Sequence, residues 1–354
     1  MNKIRTVLLS AFVALFFGAC AFFSVGMLIP GASDAVEGDA HIPVLISEGE
    51  INDSFGEDAE NWFSKSFAFR GKVVDAVSRV REKLIGVGND QVVVGKDGFL
   101  FFEDTVDSFV GQNRMTEEEL TAAAESLKRL EEYAHEHGAE FVFVCAPNKS
   151  TVYPEKMPDR YQKTEESDFD RLYAELYRLG VSCIDLRSRF DTESDESLIY
   201  HKRDTHWNGL GAYIAFDEIS SFLGVTLPDF GEMTKTNDFE GDLDLLLYPG
   251  HTGYDEDTAF DLSDRFVYTS AYTNPMNMSI STRSGGEKKA LIFRDSFGNA
   301  LIPLAASTFE EVRFERANPY RIDLLENYDA DCVIVIIAER NLRDLADCAR
   351  RIAD

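Results

Sequence analysis

The chain has 354 residues, with 63 Asp or Glu against 35 Lys or Arg and a formal net charge of −28. A surface this acidic repels nucleic acid, anionic headgroups and dense polyanions, which excludes a nucleic-acid partner at the outset. With 44% hydrophobic residues the sequence holds a sizeable core and is not a disordered chain; its length suits one large domain with insertions or two modest ones.

The first thirty residues contain an uncharged apolar run, Val7 to Ile29, with Lys3 and Arg5 ahead of it. Its length and flanking charges predict a signal-anchor transmembrane helix over 1–30, with the rest of the chain extracytoplasmic and membrane-attached. A cleaved signal peptide is the competing reading. Residues 31–50, rich in Gly, Pro, Ser and acids, read as a tether, and residues 51–354 as the catalytic domain. Phe55 to about Leu84 has the apolar spacing of a helix. Gln91-Val-Val-Val and Phe99-Leu-Phe-Phe flank Gly95-Lys96-Asp97-Gly98, the pattern of a hairpin.

From there helices and strands alternate. Helix is predicted over Thr116 to about His137, with a Thr116/Glu119 capping box, over Asp168 to about Leu179, over Asn208 to about Leu223 and from about Leu342. Strands are predicted at Glu140–Ala146, Val181–Leu186, Ala290–Phe293, Glu311–Phe314 and Asp331–Ala338. Short apolar strands alternating with amphipathic helices predict an α/β fold with a mostly parallel sheet covered by helices on both faces. Between about 227 and 289 the alternation fails, and the stretch reads as an irregular insertion near the active face. Cys332 and Cys348 could pair across a strand and the helix that doubles back, although four buried thiols are an equal alternative; no Cys/His spacing indicates a zinc site.

Two clusters carry chemistry. In Ala290-Leu-Ile-Phe-Arg294-Asp295-Ser296-Phe297-Gly298, a buried strand ends on a serine at a helix start. Ser296 is therefore either a helix cap or a nucleophile, with the amide of Phe297 facing any oxyanion beside it. In His201-Lys-Arg-Asp204-Thr-His206-Trp207-Asn208, Asp204 and His206 supply the acid and imidazole that a serine hydroxyl needs. The alternatives are an exposed histidine beside a cap, or a metal site on His201, Asp204 and His206. Pro147-Asn148-Lys149 follows another buried strand and could send Asn148 or Lys149 to an oxyanion or substrate oxygen, or simply form a turn. Arg340, in Glu339-Arg340-Asn341, ends the last strand and could line the same edge, or make an ion pair.

These motifs, with Asn61-Trp62-Phe63, the Gly95–Phe101 hairpin, Tyr153-Pro154-Glu155 and Gly241-Asp242-Leu243, resemble the SGNH-hydrolase-like proteins of bacterial polysaccharide O-acetylation: the alginate O-acetyltransferases and their Gram-positive relatives. The resemblance implies a flavodoxin-like SGNH fold with Ser296 as nucleophile, His206 as base and Asp204 as its orienting acid, without metal or cofactor. It also implies a polysaccharide acceptor and an acetyl donor delivered by a multi-pass membrane acyltransferase. An acetyl esterase and a non-catalytic glycan-binding scaffold are the alternatives. Arg294 stands where many relatives carry glycine, and no sequence follows Asp354 for a separate carbohydrate-binding domain. The negative charge argues against alginate itself as acceptor.

Overall fold

The computed structural model describes residues 43–352, apart from 48–49, 53, 67–69 and 250–252. The described residues fall into two compact units, one of residues up to 88 together with 245–249 and the other of residues 89–244 with 253–352. In the first, β1 (Ile46–Ser47) and β2 (Glu50–Ile51) pair antiparallel within the stretch expected to be a tether. The long helix predicted next is two helices, Phe55–Ser66 and Arg70–Ile85. Among the described residues no helix is long and apolar enough to cross a membrane. The single-pass topology, the membrane as partner and the cell-membrane localisation are therefore corrected and set aside; the Val7–Ile29 segment on which they rested lies outside the described residues.

The second unit opens with the expected hairpin, β3 (Val92–Val94) against β4 (Leu100–Phe102), in the register Val93↔Phe101. Its loop puts Asp97 and Gly98 at φ of 53° and 82°, a left-handed turn that glycine adopts without a Cβ clash. A seven-stranded sheet follows, built from β5 (Glu140–Ala146), β6 (Cys183–Ile184), β9 (Phe266–Tyr268), β10 (Ser279–Ser284), β11 (Glu287–Arg294), β12 (Phe309–Glu315) and β13 (Cys332–Ala338). Its order is β6-β5-β13-β11-β12-β10-β9. The first five run parallel, while β10 and β9 add antiparallel at one side. The sheet is thus parallel over most of its width, as expected, yet mixed, because part of the presumed insertion completes it with two antiparallel strands. β10 buries Ile280 and Thr282 and exposes Arg283, an alternation suited to an antiparallel strand solvated on one face. The remainder of that stretch includes a second hairpin, β7 (Thr234–Glu240) with β8 (Tyr254–Ala259).

The central strands send alternate residues to two cores. Val142, Val144, Ile292, Ile334 and Ile336 face one, with the helix Gly209–Phe222 over it. Phe141, Phe143, Phe293, Val333 and Val335 face the other, under the helices Glu117–Glu136 and Asp168–Leu179. Both of those helices begin with capping boxes, Thr116/Glu119 and Ser167/Asp170, which satisfy amides that the first turn leaves unpaired. Cys332 points into the first core and Cys348 belongs to the second. That one-residue register puts the sheet between them, so the suggested pairing does not form and both are free buried thiols. Where a C-terminal helix was expected, a 3₁₀ run, Glu339–Asp347, starts directly after β13; its three-residue period brings Leu342 and Leu345 to the core.

Candidate active site

The carboxyl ends of β5, β13 and β11, neighbours in the sheet, carry Asn148, Glu339 and Ser296 respectively. This is where parallel strands release their chain into loops and where open α/β sheets bind ligands. Ser296 precedes a short 3₁₀ turn, Phe297–Leu301, and its hydroxyl makes no cap bond. Instead Ser296 Oγ lies 2.8 Å from His206 Nε2.

His206 and Asp204 project from a narrow loop closed by the Tyr200↔Trp207 bridge. The Trp207 indole, fully buried, donates to the Phe297 carbonyl at 3.1 Å and ties this loop to the serine turn. Asp204 is buried; its Oδ1 accepts from the His206 amide at 2.8 Å and from His206 Nδ1 at 2.7 Å, and its Oδ2 accepts from the Asp242 amide at 2.8 Å. Burial would raise its pKa, but the hydrogen bond and charge of His206 and the two amides outweigh this and hold the carboxyl well below the usual carboxylate range. Asp204 is therefore an anion, able to hold Nδ1 protonated and leave Nε2 free to accept the serine proton.

Asp242 was not read as a site residue. Its two oxygens accept from the Thr205 amide at 2.8 Å and the Thr205 hydroxyl at 2.6 Å, and burial together with the charge of Asp204 raises its pKa. Asp204, His206 and Asp242 offer ligand atoms within 4.8 Å of one another, the set a cation could use, but each carboxylate oxygen already accepts a protein hydrogen bond. His201, the third ligand of the sequence alternative, is committed elsewhere: it stacks on Phe239 at 3.8 Å and its Nδ1 lies 3.1 Å from the Glu256 carbonyl.

The remaining candidates separate. Lys149 is buried and its ammonium donates to the carbonyls of His201, Lys202 and Asp204 at 3.0, 3.0 and 2.6 Å, so it holds the acid-bearing loop and has no proton left for an oxyanion. The Phe297 amide donates to Asp295 Oδ1 at 2.9 Å, so it too is not directed at an oxyanion. Asn148 keeps a buried Oδ1 without a hydrogen bond, while its backbone amide donates to the buried Glu339 carboxylate at 2.7 Å. Arg340 forms no ion pair among the described residues and lies over the Phe297 and Phe102 rings at 5.3 and 5.8 Å. The Phe297 ring in turn lies 4.8 Å from His206. Asp295, also missed as a site residue, pins the serine turn to the end of β13 by accepting from the Ala338 amide at 2.7 Å and Asn341 Nδ2 at 2.9 Å. The only sequence signal for Asp242 and Asp295 was their place in the quoted motifs, since both act on backbone amides that local patterning does not reveal.

The family described as "SGNH hydrolase-like domain, acetyltransferase AlgX" matches residues 92–247, which include Asp204 and His206. A probable alginate O-acetylase, AlgJ, of Pseudomonas syringae pv. tomato is 22% identical over 205 residues, 56% of this chain and 51% of that protein. The chain thus spans about half the length of the curated relatives it matches. Among solved structures, a DHHW family protein from Eubacterium siraeum superposes with a TM-score of 0.58 at 15% identity, covering 76% of this chain and 98% of that one. Bacillus cereus PatB1 with a sulfonyl adduct gives 0.56 at 18% identity, covering 72% and 97%. Both establish the fold. Residues 92–247, which carry Asp204 and His206, thus resemble the SGNH hydrolase-like acetyltransferase domain, on an α/β SGNH-like architecture that the chain shares with these solved structures.

Proposed function

We propose that this protein is a serine O-acetyltransferase that acetylates a saccharide through an acetyl-serine intermediate. The observation that carries the reading is the continuous relay Asp204–His206–Ser296, with links of 2.7 and 2.8 Å. His206 Nε2 takes the hydroxyl proton as Ser296 Oγ attacks the carbonyl carbon of an acetyl ester donor. The tetrahedral intermediate collapses, the donor's alkoxide leaves with that proton, and the acetyl group stays on Ser296. A sugar hydroxyl then gives its proton to His206 and attacks the acetyl-serine; the proton returns to Ser296 Oγ as the product departs. Water in place of the sugar makes the same cycle an esterase. With the Phe297 amide committed, the Arg340 guanidinium, 5.3 Å over the Phe297 ring, is the donor assigned to the acyl oxygen, and the unpaired Asn148 Oδ1 is an acceptor for a substrate hydroxyl.

Wild-type protein incubated with p-nitrophenyl acetate should release chromophore and gain the mass of one acetyl group on the Ser296 peptide. Ser296→Ala should lower turnover at least about a thousandfold and abolish the adduct. Turnover that survives this substitution, or an adduct on another residue, rules the reading out.

A further inference from the structure

Arg294, the last residue of β11, has a buried side chain, and its guanidinium pairs with no carboxylate among the described residues. A cation in that position is costly unless its protons are well placed. Nη2 donates to the Pro275 carbonyl at 2.7 Å and reaches that of Asn277 at 3.4 Å, while Nη1 donates to Asn299 Oδ1. Asn299 in turn donates from Nδ2 to Met276 Sδ at 3.4 Å, and its amide to the Ser296 carbonyl at 3.1 Å. One buried arginine thus fastens the loop around Met276 to the first turn after the serine. The loop is also braced from within, where Asn277 Oδ1 accepts from the Thr273 amide and Asn274 Oδ1 from the Met276 amide, both at 2.8 Å.

The segment held in this way is unlike the rest of the chain. From Phe266 to Thr282 there is no charged residue, in a sequence that is 28% charged with a net charge of −28. At the end that Arg294 holds it exposes apolar side chains, with Met276 54% and Met278 60% accessible. Tyr268 and Tyr272 stack within the segment with ring centroids 3.8 Å apart. Aromatic rings and thioethers take the C–H faces of a sugar, while neighbouring hydroxyls and amides such as those of Tyr272 and Asn274 meet its hydroxyls.

We propose that this uncharged segment is the acceptor surface, that it binds a neutral saccharide, and that Arg294 is the positioning residue that holds it beside Ser296. The inference rests on the acyl-transfer reading and names the acceptor class for the same site. Arg316 reaches this surface, its Nη1 3.3 Å from the Met276 carbonyl and 3.2 Å from Met276 Sδ, but a polyanionic glycan approaching it would still have to cross the strongly negative field of a chain with net charge −28.

The test supplies p-nitrophenyl acetate as donor and chitopentaose, cellopentaose or oligomannuronate as acceptor, following chromophore release for total turnover and mass spectrometry for acetylated sugar. Wild type should acetylate a neutral oligomer in preference to oligomannuronate. Tyr272→Ala, Met276→Ala and Arg294→Met should each lower the ratio of transfer to hydrolysis about tenfold, with total turnover falling less. The two exposed-segment variants decide the matter if the buried Arg294→Met fails to fold. An unchanged ratio, an equal fall in transfer and hydrolysis, preferred acetylation of oligomannuronate, or no acetylation of either neutral oligomer by a wild type that turns over the ester overturns the proposal. A wild type that releases no chromophore removes the acyl-transfer reading itself.

Discussion

Lys149 directs its three protons at three carbonyls of the loop that carries Asp204 and His206, a role that neither sequence alternative, a substrate or oxyanion donor or a simple turn, contained. Burial pushes its ammonium down to about 7, against the pull of Asp204, Asp242 and Asp255. Because the folded value lies below the unfolded one, the native state binds fewer protons than the unfolded chain between about pH 7 and pH 10, so this group makes stability rise with pH across that window. Urea unfolding of wild type should therefore show a contribution of up to ~1.4 kcal/mol per pH unit there that Lys149→Met lacks. The variant should also lose about 3 kcal/mol near neutrality from the carbonyls it strands. Equal pH slopes in the two proteins would refute the account. That Ser296, His206 and Asp204 would come together was legible because a hydroxyl, an imidazole and a carboxylate are recognisable residue types at the ends of predicted elements. Asp242 and Asp295 were not, because each receives amides from chain segments distant in sequence.

At the scale of elements, the strands β5 and β13 and the helix Asp168–Leu179 were readable to within a residue or two, because burial on both faces writes an apolar run and capping boxes mark helix starts. β9 and β10 were not, since alternation of small polar residues with one or two apolar ones is too weak a signal without the neighbouring strand. Close approach between elements was likewise invisible. A Cβ on Gly209 would lie 1.6 Å from the Thr258 carbonyl oxygen, so the helix that follows His206 packs on β8 only with glycine there. Gly209→Ala should destabilise the protein by about 3 kcal/mol and lower ester turnover by displacing the His206 loop. Gly285→Ala, which meets nothing within 4 Å, should shift the urea midpoint by less than about 1 kcal/mol in free-energy terms. Similar midpoints for the two variants would contradict this.

For the whole molecule, the charge of −28 acts on every approaching substrate. At low ionic strength it should hold anionic acyl donors away and leave neutral ones untouched, and salt should erase the difference as the screening length falls to ~10 Å at 0.1 M. Turnover of a negatively charged aryl acetate should rise with sodium chloride while that of p-nitrophenyl acetate stays flat; parallel salt profiles would count against a field effect. The α/β class was visible in the sequence at this scale, but the mixed character of the sheet was not.

The packing of Arg294 against the serine turn also constrains how such a chain can change over generations. A Cβ on Gly298 would come within 2.6 Å of the Arg294 Cβ and 3.0 Å of its Cδ. Neither position is then free to drift alone. A side chain can settle at 298 only in a lineage that has already placed glycine at 294, and a lineage that has filled 298 cannot regain the arginine in one step. The order of substitutions is directional, and the history of this loop is carried by a pair of residues rather than by either one.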